Sequence, residues 1–195
     1  GHDKGRIYRV VPVGKQFRPI PRLNKLATAD LVAALDSPNG WERDMVHMMA
    51  VWRADWSAVR TLEQLSETAT RPVVRMQALC VMDALGGVSD AALSRGLTDA
   101  HAGVRRNAVR LAESRLAQSP AIANAVLKMA GDKDAQVRMQ VAFSLGEWND
   151  RSAGRALGSI ALRDWNDPFI TAAVASSATK HAAEILTVLA AAAGD

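Results

Sequence analysis

Cysteine is almost absent from this chain of 195 residues. Cys80 stands alone, so no intrachain disulfide, cysteine-based zinc cluster or haem-attaching CxxCH can form from these residues. Its neighbours in Met76-Gln77-Ala78-Leu79-Cys80-Val81-Met82 are apolar at helical spacing, and the thiol is expected to be a buried structural one. Aromatic residues make up only 5%, with one tyrosine and three phenylalanines, while hydrophobic residues reach 49% through alanine. A chain short of aromatics and rich in alanine favours closely packed helices over sheets. Long apolar runs are missing too. Nothing approaches the roughly 20 residues that cross a bilayer, and the start lacks the apolar core of a secretory signal, so a soluble chain without membrane insertion is expected. Catalytic signatures are equally scarce: no GxSxG, P-loop, GxGxxG or paired-carboxylate motif occurs. The four histidines, His2, His47, His101 and His181, have no partner at metal-ligand spacing, and His101 is expected to lie solvated in a turn. No cofactor or metal is expected.

The net charge of +4 is unevenly spread. Residues 1 to 25 hold Lys4, Arg6, Arg9, Lys15, Arg18, Arg22 and Lys25 against Asp3 alone, a net +6, which leaves −2 on the remainder. A protein that follows nucleic-acid phosphates along an extended surface should carry its cations on that surface, so no nucleic-acid partner is expected. Arg6-Ile7-Tyr8-Arg9-Val10-Val11-Pro12-Val13-Gly14 is basic and β-branched, and Pro19 and Pro21 follow it. Residues 1–26 therefore read as an extended basic arm, with a strand over Arg6 to Gly14, and residues 27–195 as a separate domain.

That domain is periodic. Val74-Arg75-Met76-Gln77-Ala78 recurs as Val104-Arg105-Arg106-Asn107-Ala108 and as Val137-Arg138-Met139-Gln140-Val141, the arginines 30 and 33 residues apart. Arg43 lies 32 residues before the first of them, and Thr171 lies 33 after the last. Before four of the five markers stand turn and N-cap residues: Asp36 with Ser37-Pro38-Asn39-Gly40, Asp99, Asp132 with Asp134, and Asp164 with Asp167-Pro168. An apolar stripe at helical period follows each marker, and another helical run precedes each turn, as in Leu31-Val32-Ala33-Ala34-Leu35. Five two-helix units result. A single helix pair cannot bury its apolar faces, so the units must stack. The closing stretch from His181 to Ala193 adds one more helix without a second, so the array is expected either to stop in mid-unit, next to a covalent neighbour that has been removed, or to be capped by a half unit.

An aspartate at the turn, Val-Arg opening the second helix and a small residue three positions on together resemble HEAT repeats, including the bacterial HEAT-like subclass. The likeness runs over about residues 27 to 180; it is strongest at Asp99 with Val104-Arg105 and at Asp132 with Val137-Arg138, and departs where Thr171 replaces the arginine. It implies an all-α, right-handed α-α superhelix of about five helical hairpins plus a terminal helix, an armadillo-like solenoid used for protein-protein interaction. At the front, Asp3-Lys4-Gly5-Arg6-Ile7-Tyr8-Arg9-Val10, followed by Pro38-Asn39-Gly40-Trp41, resembles the propeller-to-HEAT junction of bacterial membrane-bound dehydrogenases built from a β-propeller, a HEAT array and a cytochrome c. This resemblance implies a fragment of a dehydrogenase and an extracytoplasmic, periplasmic setting. It carries over no catalytic residue.

In such arrays the arginine opening each second helix bonds turn groups of a neighbouring unit. The expected structural ladder is accordingly Arg43, Arg75, Arg105 and Arg138 with Asp36, Asp99 and Asp132, and Arg105 is expected to meet Asp132 or Asp99. Five tryptophans are many for this composition. They are read first as caps on the core, with Trp41, Trp56, Trp148 and Trp165 as candidates for partner contact. Arg105, Arg106 and Arg110 form a small basic patch that reads as an ordinary exposed face. The function expected is a monomeric, non-catalytic scaffold that binds protein. HEAT-like enzymes and accessory lyases are the alternative: a DNA glycosylase would need a basic groove, and a phycobilin lyase a tetrapyrrole-sized apolar one.

Overall fold

Alanine, leucine and valine recur every three to four residues on alternate helices, so each hairpin has a narrow apolar stripe that only a neighbouring hairpin can cover. In the computed structural model, which describes residues 5, 8, 10–16 and 20–194, these stripes meet in one continuous core from Leu23 to Ile185. The elements are α1 (Thr28–Ala33), α2 (Gly40–Arg53), α3 (Ala58–Thr68), α4 (Pro72–Ala84), α5 (Asp90–Leu97), α6 (Ala102–Ala112), α7 (Pro120–Lys128), α8 (Ala135–Gly146), α9 (Arg151–Arg163), α10 (Pro168–Ser177) and α11 (Ala182–Ala193). Successive pairs from α1/α2 to α9/α10 are antiparallel hairpins, and α11 packs on α9 as a closing helix. First helices α1, α3, α5, α7, α9 and α11 stack in one layer, and second helices α2, α4, α6, α8 and α10 in the other. The fold is an α solenoid of five hairpins and a terminal helix, as expected.

Local chemistry sets the starts of the helices. Side chains of Asn39, Ser89, His101, Ser119, Asp134, Asp150 and Asp167 each accept a backbone N–H in the first turn of the helix that follows. Pro72, Pro120 and Pro168 occupy first helical positions, where the missing N–H costs nothing. Asp99 and Asp132, read as turn or cap residues, take the turn role by accepting the amides of His101 and Asp134. This leaves their outer oxygens free for another partner.

The closing helix docks through two glycines one helical turn apart. A Cβ at Gly158 would stand 2.7 Å from Val188 Cβ, and one at Gly154 would stand 2.6 Å from Glu184 Cβ. Only bare backbone allows α11 to come this close, which lets Ile185 bury against α9 although much of the rest of α11 is exposed.

The strand expected over Arg6 to Gly14 falls partly outside the described residues, as do Lys4, Arg18 and His2. Pro12 to Lys15 forms a turn closed by the Lys15 amide on the Pro12 carbonyl, with Gly14 at φ 80°, a left-handed conformation suited to glycine and ill suited to a strand. The last residues of the basic segment are tied to the array: Leu23 is buried, and Arg53 at the end of α2 donates to the carbonyls of Leu26, Leu23 and Asn24. No helix among the described residues is long and apolar enough to cross a membrane.

Candidate functional site

Each marker arginine is the fourth residue of its helix, and side chains on an α-helix lean toward its N-terminus. The guanidinium therefore turns back over the preceding hairpin turn, where the first helix leaves carbonyls unsatisfied. Arg75 Nη1 donates to the carbonyls of Ala69 (2.8 Å) and Thr70, Arg105 Nη1 to those of Asp99 (2.9 Å) and Ala100, and Arg138 Nη1 to that of Asp132 (2.8 Å). Nε and Nη2 of the same groups grip the carboxylate one unit further along. Arg75 holds Asp99 at 2.7 and 2.8 Å, Arg105 holds Asp132 at 2.8 Å twice, and Arg138 holds Asp164 with Nε at 2.7 Å. Each arginine thus closes its own turn and clamps the next, a two-pronged geometry that lysine could not supply.

Burial and bonding act against each other at these carboxylates. Burial pushes Asp99 upward, but the bonds from Arg75 and the His101 amide, with the charge of Arg75, hold its carboxyl below the usual carboxylate range. Asp132 follows the same pattern, with Arg105 and the Asp134 amide outweighing desolvation. The guanidinia of Arg75, Arg105 and Arg138 are held above their ordinary value chiefly by those same bonds.

The first rung differs. Arg43 Nη1 reaches the Ser37 carbonyl at 2.8 Å, but its buried Nε has no partner, because Ala69 stands where Asp99, Asp132 and Asp164 stand in the later units. Asp36, placed in the ladder by sequence, instead accepts from Arg71 at the surface, 3.1 Å away. Asp164 takes the last rung. The spacing of 26 residues from Arg138 was available as a signal, but one tied to the spacing of the earlier rungs and not to any local motif. Beyond it, Thr171 ends the series.

Of the tryptophans, Trp148 is partly buried and packs against the core. Trp41, Trp52, Trp56 and Trp165 are 59, 74, 60 and 76% exposed and cannot seal it. Trp41 borders a groove of about 610 Å³ with Ile20, Pro21, Leu23, Met45 and Met49 at the start of the array. The rings of Trp56 lie against the Gly86–Gly87 turn, while Trp165 lies in the fifth hairpin turn and the exposed Phe169 in the first turn of α10.

The basic patch divides. Arg105 turns inward to the ladder, while Arg106 and Arg110 stay on the outer side of the second-helix layer. Cys80 is half-buried rather than buried, at 3.9 Å from Arg110 Nη2; burial pushes its thiol up, against the opposing pull of Arg110. His101 is exposed, and its Nδ1 caps α6 by accepting the Gly103 amide. His181 is buried with Nε2 unpartnered. Among the described residues no group of three or more histidine, cysteine, aspartate or glutamate side chains is placed to hold a metal ion.

The family described as HEAT repeats matches residues 90–178, which contain the Arg105 and Arg138 rungs. Among solved structures, the X-ray structure of the Escherichia coli protein YibA is 14% identical over 85% of this chain and 100% of that one, with a TM-score of 0.33. No curated protein matches the chain.

Proposed function

We propose that a HEAT-type array with this surface is a non-catalytic scaffold that binds protein, and that it acts as a monomeric section of a multidomain, dehydrogenase-like protein. The observation that carries the reading is the set of large apolar side chains exposed along stacked second helices and their turns: Trp41, Phe143, Trp165 and Phe169. Aromatic side chains are the residues that most often anchor a protein partner, and these four are left on the surface, where they can do so. Behind it, the ladder links units two to five, so the array is suited to holding partners at a fixed separation. The dehydrogenase part of the reading rests on the likeness of Asp3 to Val10 and of Pro38 to Trp41 to a propeller-to-HEAT junction. In that arrangement residues 1–26 belong to the propeller side, residues 27–195 form the spacer, and the protein works outside the cytoplasm.

Cross-linking mass spectrometry on the full-length protein tests this. We expect links from the arm and from the neighbourhood of Trp41 to an upstream module, and their loss when residues 1–26 are deleted. Docking that is unchanged by the deletion refutes the role of the arm. A chain that cross-links to no other module or protein refutes the scaffold.

A further inference from the structure

Gly103, Arg106 and Arg110 lie at positions i, i+3 and i+7 of α6, hence on one face, spanning about 10 Å at 1.5 Å per residue. At the glycine end is an apolar trough of about 320 Å³, walled by Pro72, Val73 and Met76 of α4 and by His101, Gly103 and Val104. A Cβ at Gly103 would stand 3.1 Å from the His101 ring that walls the trough. The equivalent place on α8 is filled by Gln136, which accepts from Arg106 Nη1 at 2.8 Å. Beside the trough, the two guanidinia of Arg106 and Arg110 have no carboxylate within 4.0 Å among the described residues, unlike the ladder arginines Arg75 and Arg105 of the same two helices. Carboxylates reappear only toward the C-terminal ends of these helices, at Asp83 and Glu113, and Glu113 is occupied by Ser144. The face therefore presents, in order, an apolar slot, two available cations and an acidic rim.

We infer that this face takes a short peptide segment with one apolar anchor residue followed within about three residues by two acidic side chains, the anchor in the trough and the carboxylates on Arg106 and Arg110. The spacing follows from the helix: Arg106 lies about 4.5 Å and Arg110 about 10 Å beyond Gly103, and an extended peptide advances about 3.3 Å per residue. Arginine paired with carboxylate gives the directional part of the recognition, and the acidic rim turns away a peptide whose negative run continues further. This assignment rests on the scaffold reading above and adds the chemistry of its partner.

The test uses a fluorescein-labelled peptide bearing one leucine and then two glutamates in a glycine-serine background, a matching peptide with lysines for the glutamates, and one with glycine for the leucine. We expect saturable polarisation only with the first, weakening with added salt, and slowed amide exchange confined to α4 and α6. R106E/R110E should weaken it by about tenfold or more and gain affinity for the lysine peptide, while Met76→Gln should weaken it without changing the charge preference. Both variants alter partly or fully exposed side chains, and their melting curves check that the fold is kept. Equal binding of the acidic and basic peptides, no binding of any peptide, or exchange protection away from α4 and α6 overturns the assignment. If that happens while an upstream module still cross-links to the chain, the scaffold reading stands and only the acidic-peptide assignment falls.

Discussion

Replacing Ala69 by aspartate should complete the first rung of the ladder and stabilise the protein. Ala69 has φ −61° and ψ 130°, nearly the backbone of Asp132 at −55° and 144°, and lies 26 residues after Arg43, as Asp164 lies after Arg138. A carboxylate there would face the unpartnered Nε of Arg43 and accept the Arg71 amide, as Asp99 accepts that of His101. Introducing a buried ion pair is often neutral, since desolvating two charges offsets their attraction. Here one side of that cost is already present, because the Arg43 Nε is buried in the unmodified protein. Bonds between charged groups contribute about 1.5–3 kcal/mol each. After subtracting the burial of the new carboxylate we expect a gain of about 1 kcal/mol, or a melting temperature about 2–4 °C higher at this size. Thermal unfolding measures the total, and amide exchange localises it, with slowing expected in α2 to α4. In an Arg43→Met background the gain should vanish, which separates the rung from any effect on the turn alone. A destabilised Ala69→Asp, or an equal gain without Arg43, refutes the reasoning.

Breaking a complete rung should cost more than adding one gains. Asp132→Ala leaves Arg105, whose side chain is 8% exposed, without its carboxylate, and we expect a loss of about 3 kcal/mol in denaturant unfolding. The ladder also predicts an acid limit. Asp99 and Asp132 have folded pKa values below their unfolded ones, so the unfolded chain binds more protons, and their stabilisation is complete above the unfolded value of ~4 and lost as pH falls through the lower folded values. The melting temperature should fall on acidification through that range, with a shallower slope in Asp132→Asn. Ala54 ends α2 in the left-handed region at φ 48°, ψ 36°, so Ala54→Gly should raise stability by about 0.5–1 kcal/mol; a loss of stability would show that its methyl group is needed for packing.

How much of this was legible before the structure depends on the range of each interaction. Hairpin count, helix order and the terminal helix follow from spacing, because apolar period and turn residues act within one unit. Arg75, Arg105 and Arg138 stood out for the same reason: they recur. Their partners were harder to read, since a carboxylate one unit away is chosen by how the turns superpose. That is why Asp36 fell out of the ladder, Asp164 entered it and the gap at Ala69 went unseen. The tryptophans gave no signal of exposure, because a bulky side chain at a turn can fold inward or outward with the same sequence around it.

Composition and period by themselves determined an all-helical stack of two-helix units and located the residues that open each second helix, since those depend on local backbone preference and on the need to bury a stripe. Tertiary structure alone decided which charges satisfy one another and which remain free. Arg105 and Arg106 are neighbours in sequence and about 100° apart around the helix, so one turns to Asp132 within the stack and the other stays at its surface.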